Sequence, residues 1–275
     1  MSASRFEELT RRVDRFTPDE RTDRPALGAV HGAAGTLIVD AGASPAHLGA
    51  FATELAARGR PPVIAIALTH WHWDHAFGSA ALDVPVIACT ATAAGVATQA
   101  AYAWDEASLR RRVDEGLELA FSLPHLLAEY TEEERTALEI VVPQVTFESA
   151  HDVDLGDAIV ELRWVGGDHA DDSVVAWVPD ERVLFTGDCL YQCLWGEPEY
   201  LTVGGVRALL DRLAPFDPLV AIEGHEDTVH DAASWAARLA ELARACDLVE
   251  SAAGDDAEGD LAELVAQLRA APQAR

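Results

Sequence analysis

Thr69-His70-Trp71-His72-Trp73-Asp74-His75 is the stretch on which the reading of this chain turns. Its last six positions hold four potential metal ligands in the pattern His-x-His-x-Asp-His. An apolar run rich in Val and Ile precedes it, Val63-Ile64-Ala65-Ile66-Ala67-Leu68, and predicts a buried strand. A strand that ends in clustered imidazoles and a carboxylate delivers them into one crevice. Such a nitrogen and oxygen donor set suits zinc, and also iron, manganese or nickel. Burying these groups without a partner would be costly, so a merely polar surface loop explains the pattern poorly.

Working outward, further ligand-type residues stand at the ends of other predicted strands. His169 follows the strand ending at Val165, Asp188 follows Phe185, and His225 follows Ile222. Loops at strand ends converge on one edge of a sheet. Seven candidate ligands from four strand ends are more than one ion needs, and suit two metals sharing a bridging group.

The rest of the chain supplies the frame. Phe6, Leu9, Val13 and Phe16 are spaced as one face of an amphipathic opening helix, followed by a Pro-punctuated linker over Thr17–Pro25. Strands are predicted at Ala26–Val30 and Thr36–Val39 around a Gly-containing turn, and at Val84–Ala88, Val145–Phe147, Ala158–Val165, Val174–Val178, Val183–Phe185 and Leu219–Ile222. Ser44 and Pro45 open a helix that Gly59 ends. From about residue 92 to 142 the pattern is helical, with a capping box at Thr131–Glu134. This block carries no motif and reads as a helical insertion or lid. Helices follow at Val203–Leu213, over the stripe Trp235, Leu239, Leu242, Cys246 and Val249, and at Leu261–Leu268, the last after an acidic linker, Ser251–Gly259. The order indicates one α/β (α+β) sandwich domain over 1–275, with C-terminal helices over about 229–270.

Composition narrows the partners. Forty-seven acidic residues against 20 basic give a formal charge of −27, and every basic residue is Arg. So acidic a surface repels polyanions, which excludes nucleic acid and anionic membrane as expected partners. No apolar stretch is long enough to span a bilayer, and Met1–Phe16 lacks a secretory apolar core. Cys89, Cys189, Cys193 and Cys246 have no disulfide spacing and read as reduced thiols in packing roles, so a cytoplasmic location is expected. The terminal helices leave a homodimer open.

Three further motifs join the first. Asp40-Ala41-Gly42 ends the second strand, Thr186-Gly187-Asp188-Cys189-Leu190 contains a further candidate carboxylate ligand, and Gly224-His225 the last imidazole. Together with His-x-His-x-Asp-His, and over roughly Leu27–His230, they resemble the metallo-β-lactamase-fold hydrolases. The resemblance implies a four-layer αββα sandwich with a duplicated αβ/βα layout. It implies that His70, His72 and His169 hold one metal, that Asp74, His75 and His225 hold a second, and that Asp188 bridges both. Two divalent ions are expected, zinc first, with iron or manganese as alternatives. Asp40 is expected to support the metal loop without binding metal. Asp188 stands where one main class of β-lactamases has Cys, which directs the reading towards glyoxalase II, lactonases and phosphodiesterases. Asp168 stands where many members have Gly, and is expected to add a carboxylate beside the first metal.

The expected activity is attack of a metal-activated hydroxide on an ester, thioester, lactone or phosphodiester bond of a small molecule, with Asp74 relaying a proton and Tyr191 polarising the substrate oxygen. The alternatives are an iron persulfide dioxygenase using only the first ligand set, a β-lactamase, and a non-catalytic metal-binding protein. His31, His47, His125, His151 and His230 lie outside every motif and read as surface or packed residues. Trp71 and Trp73 wall the site or pack behind its loop. Arg110-Arg111-Arg112 reads as a solvated helix face before an anion site.

Overall fold

The computed structural model describes residues 4–251 and 258–272. Its first sheet has seven strands in chain order: β1 (Phe6–Glu8), β2 (Val13–Phe16), β3 (Leu27–Gly32), β4 (Gly35–Val39), β5 (Val63–Ala67), β6 (Val86–Cys89) and β7 (Val145–Phe147). The second has six, in the reverse spatial order: β13 (His230–Asp231), β12 (Val220–Glu223), β11 (Val183–Gly187), β10 (Val174–Val178), β9 (Ile159–Trp164) and β8 (Ala150–Asp154). The β4, β5, β6 and β7 neighbours pair in parallel, as do β11 and β12.

Helices α1 (Pro45–Ala57), α2 (Trp73–Ala76), α3 (Thr90–Ala100), α4 (Glu106–Asp114), α5 (Ser122–Glu129) and α6 (Glu132–Thr136) belong to the first half. Helices α7 (Val203–Leu213), α8 (Ala232–Glu250) and α9 (Asp260–Ala270) belong to the second.

The period of two along each strand sorts side chains into layers. Leu37 and Val39 of β4, Ala65 and Ala67 of β5, and Val174 and Ala176 of β10 point into the core between the sheets. Ile38, Ile66 and Leu68 point the other way, onto Leu48, Phe51 and Leu55 of α1. On the far side, Val175, Leu184 and Ala221 meet Leu209 and Leu213 of α7 and Leu242 and Cys246 of α8. These three cores separate four layers, αββα, as expected. Strands buried on both faces explain why the metal motif follows an unbroken apolar run.

Three elements differ from the sequence reading. The opening segment is a hairpin, not a helix: β1 and β2 are antiparallel, with Phe6 opposite Phe16. The hairpin divides these residues between two faces, Phe6 and Phe16 towards α1 and Leu9 and Val13 towards the core between the sheets, so a spacing that fits a helix does not distinguish the two. Strand β8, Ala-His-Asp-Val-Asp, has a single buried residue, Val153, and no apolar run to announce it; it is an edge strand paired only with β9. The linker after β2 is part of the site described below. Most of the expected acidic linker, residues 252–257, lies outside the described residues.

The four helices α3–α6 fill the crossover between the adjacent parallel strands β6 and β7. Thr131 caps α6 in the expected box with Glu134. Arg112 does not form a solvated face: it is buried over the rings of Tyr102 and Trp104. Arg110 pairs with Glu106 one turn away.

Candidate metal centre

Strand β5 ends at Ala67, and the chain then turns across the edge of the sandwich. Two bonds fix the turn: the Leu68 N–H donates to Ile87 O at 2.9 Å, and the Val174 N–H donates to Thr69 O at 2.8 Å. The second crosses between the sheets, so the motif is anchored to both. Glycines let the other loops close in. A Cβ on Gly187, where φ is +51°, would lie 2.6 Å from Thr69 Oγ1, and one on Gly224 would lie 2.0 Å from Asp188 Oδ1. Any side chain at Gly224 would push the last loop off the carboxylate.

The structure brings all seven predicted ligands together. His70, His72 and His169 form one group, and Asp74, His75, Asp188 and His225 a second, each with ligand atoms within 4.8 Å of one another. Oδ2 of Asp188 joins the groups. It lies 3.9 Å from Nε2 of His70, 3.4 Å from that of His169, and 3.3 Å from those of His75 and His225. Asp74 Oδ2 stands 3.1 Å from His225 Nε2 and 3.2 Å from His75 Nε2. Nδ1 of His72 faces Nε2 of His169 at 3.0 Å.

Outer partners set the tautomers. The Nδ1–H of His75 donates to Asp40 Oδ2 at 2.9 Å, and that of His169 to the carbonyl of Gln192 at 3.1 Å. The Thr69 hydroxyl donates to Asp40 at 3.0 Å and accepts from His70 Nδ1 at 3.0 Å. Carboxylates and carbonyls only accept, so each Nδ1 carries the proton and each Nε2 presents a lone pair to the centre, the arrangement that orients metal-binding imidazoles. Asp40 occupies the left-handed backbone region, φ 63°, uncommon for a residue other than Gly. It serves as the support the motif suggested.

The donor set fits divalent cations on this structure's own terms. Nε2 of His70 and of His75 and Oδ1 of Asp188 are buried without a hydrogen-bond partner. Orphaned buried groups are expensive, and a cation satisfies them. Charge follows the same pattern. Burial pushes His70 well below its usual range and His72 down to about 3. For His75 and His225 burial also opposes the charge, yet the carboxylates of Asp188 and Asp74 override it and raise both well above the usual range. Asp74 and Asp188 stay ionised against burial because of those imidazoles. The carboxylates thus favour positive charge at this group, from protons or from a cation that displaces them.

The groups form the floor of a cavity of about 400 Å³. Trp71, Trp73, Leu119, Phe121, Leu194 and Trp195 give it apolar walls. Tyr191 is among its lining residues, and its hydroxyl accepts the His225 N–H at 3.2 Å. Trp71 walls the cavity and packs on Gly95, whereas Trp73 is also part of the core beneath. Asp168 does not join the centre: its carboxylate accepts the N–H and hydroxyl of Thr202 at 2.7 and 2.8 Å, tying the His169 loop to the N-terminus of α7.

Two residues escaped the sequence reading. Asp172, buried and pushed up to about 6 by that burial, accepts the Trp71 N–H at 2.9 Å and the Thr92 hydroxyl at 2.7 Å, so it braces the metal motif from the opposite sheet. Asp23, in the loop after β2, lies 3.6 Å from His225 Nδ1. Neither has a motif, because the contacts join residues distant in sequence. Of the other histidines, His31 is buried between Asp14 and Thr36, and His230 pairs with Glu223. His125 lines the cavity.

The family model for the metallo-beta-lactamase superfamily matches residues 28–247. The chain belongs to the metallo-β-lactamase superfamily. Solved structures of the same fold include a metallo-beta-lactamase from Pontibacter korlensis, 18% identical, covering 86% of this chain and 97% of that one at a TM-score of 0.60. A stereoselective inverting sec-alkylsulfatase from Pseudomonas sp. is 17% identical, covering 94% of this chain but 46% of its own length, at a TM-score of 0.64. A metallo-beta-lactamase from Hirschia baltica is 14% identical, covering 87% and 97% respectively, at a TM-score of 0.58. At such identities these likenesses show the superfamily fold alone. No curated protein sequence matches the chain.

Proposed function

We propose that this chain is a metal-dependent hydrolase with a two-cation centre, acting on an ester, thioester, lactone or phosphodiester bond of a small molecule. The observation that carries the reading is the position of Asp188, one carboxylate oxygen within 3.9 Å of four imidazole nitrogens drawn from both groups. His70, His72 and His169 would hold one cation, and Asp74, His75 and His225 the other, with Asp188 shared. Zinc suits this nitrogen-rich set, and iron or manganese is the next choice. Cations so placed supply hydroxide at neutral pH and Lewis-acid polarisation of the scissile group.

The chain's own residues do the rest. Asp40, Thr69 and Gln192 hold the imidazoles in their ligating tautomers. Asp74, ionised and at the cavity floor, is placed to take up a proton near the bond being cleaved. Tyr191 accepts a backbone N–H and keeps its own O–H for a substrate oxygen; burial raises its pKa well above the usual phenol range, so the donor is retained. The apolar walls exclude water and strengthen both effects. The four free, buried cysteines suit a reducing compartment such as the cytoplasm.

The decisive experiment loads the protein with zinc and assays representative esters, thioesters, lactones and phosphodiesters against an Asp188→Ala control. About two ions per chain and turnover abolished in the control are expected. About one iron per chain, with oxygen consumed in the presence of persulfide, would favour the dioxygenase alternative, for which the complete second ligand group has no use.

A further inference from the structure

Resting on the hydrolase reading, we infer that the cavity selects substrates with an apolar body and no anionic group other than the one being cleaved. Three observations converge on this.

The first is charge. Among the described residues, the side chains lining the cavity include the carboxylates of Glu20, Asp23 and Glu118, and no Arg; the chain has no Lys to offer. The Arg residues nearest in sequence are committed elsewhere: Arg21 to Asp19, Arg24 to Glu129, and Arg112 to the Ala103 carbonyl and the rings of Tyr102 and Trp104. A second anion on the substrate would therefore meet like charge, without a guanidinium to receive it.

The second is shape. A side cavity of about 250 Å³ opens beside the first and shares Trp71, Gln99, Glu118 and Trp195 with it. Tyr102 and Leu117 complete its apolar lining. None of the metal-group residues lines the side cavity, so an alkyl or aryl arm lodged there would run away from them.

The third is exposure. Leu117, Phe121 and Trp195 are among the large apolar side chains left exposed, at 54%, 48% and 43%, and all three line these cavities. Apolar side chains gathered at the mouth of a cleft mark a surface that ligand covers. Glu118 lines both cavities, where a group carried on the arm would meet it.

The test compares nitrophenyl acetate, hexanoate and decanoate with nitrophenyl esters carrying a terminal carboxylate on chains of equal length, using zinc-loaded protein. In parallel, quenching of tryptophan fluorescence reports binding of decanamide and of its ω-carboxylated counterpart to protein without added metal. We expect kcat/KM to rise from acetate to decanoate, and the terminal carboxylate to lower both kcat/KM and affinity by about tenfold, an effect that shrinks at high salt. Glu118→Gln should recover several-fold of that loss. Trp195→Ala should flatten the chain-length series.

Equal or better handling of the carboxylated compounds in both readouts overturns the inference and leaves the hydrolase reading standing. No chain-length dependence, with decanamide unbound, overturns the apolar arm. If no ester is cleaved but decanamide still binds about tenfold tighter than its carboxylated counterpart, the selectivity stands and the hydrolase reading fails.

Discussion

The carboxyl of Asp40 receives the Nδ1–H of His75 at 2.9 Å and, through its other oxygen, the backbone N–H of Thr69 at 2.7 Å. One residue thus fixes both the first residue of the metal motif and the last. Asp40→Ala is expected to lower zinc affinity by about 10–100-fold, the usual cost of removing an outer partner of a metal-binding imidazole. Competition with a chromogenic chelator measures it, and an unchanged affinity would show that the imidazole is held by packing alone.

Asp188 is predicted to couple the two ions. Asp188→Asn should reduce bound zinc from about two per chain to one or none, where a change at His225 removes only the second. Elemental analysis after dialysis distinguishes them. Chelation of the native protein should also lower the unfolding midpoint, since at a hundredfold excess over Kd bound metal contributes about 2.7 kcal/mol.

Asp168 serves the neighbouring loop, not the centre. Asp168→Ala leaves the Thr202 N–H and hydroxyl without their acceptor, so a loss of about 1–3 kcal/mol in urea unfolding is expected. Metal content should be unchanged; a loss of metal would restore the role that its position in the sequence suggested.

His47 lies outside both metal groups, and its pH behaviour has a definite sign. Burial lowers its pKa from 6.5 to about 3. A depressed imidazole favours the neutral folded state, so its stabilising effect is full above the unfolded pKa. The effect is lost as pH falls through the window from 6.5 to about 3, where only the unfolded chain takes up the proton. Compared with His47→Gln, the native protein should lose about 1.4 kcal/mol per pH unit across that window. Urea titrations of both proteins at several pH values give the difference, and parallel curves would refute the assignment.

Tyr191→Phe removes the hydroxyl that the proposed chemistry uses. A fall in kcat of about 10²-fold at constant metal content is expected, by analogy with losing one oxyanion donor. A small loss of stability alone, from the unpaired His225 N–H, would reduce Tyr191 to a structural hydroxyl.

What could be read from the sequence follows from physics that is local. Val63–Leu68 had to be a strand buried on both faces, and its end had to carry the ligands. Asp40 could be recognised because its motif is contiguous. The opening hairpin was misread because Phe6, Leu9, Val13 and Phe16 satisfy a helical period, whereas the pairing of β2 with β3 that decides the matter is tertiary. The same pairing buries Asp14 beside His31 and Arg60, charges that no periodicity argument places inside. Asp23 and Asp172 were missed for a related reason: each acts on a residue far along the chain, His225 and Trp71 respectively.

The long crossover between β6 and β7 separates two kinds of inheritance. Cys89 and Phe147, at the ends of those strands, face each other across the sheet whatever lies between them. The intervening segment supplies Gln99, Glu118, Leu119, Phe121 and His125 to the cavity, and none of the seven candidate ligands. Mutation, deletion or exchange of that segment can retune what the protein accepts while the reactive centre is copied intact, so its descendants would be expected to change diet before they change chemistry.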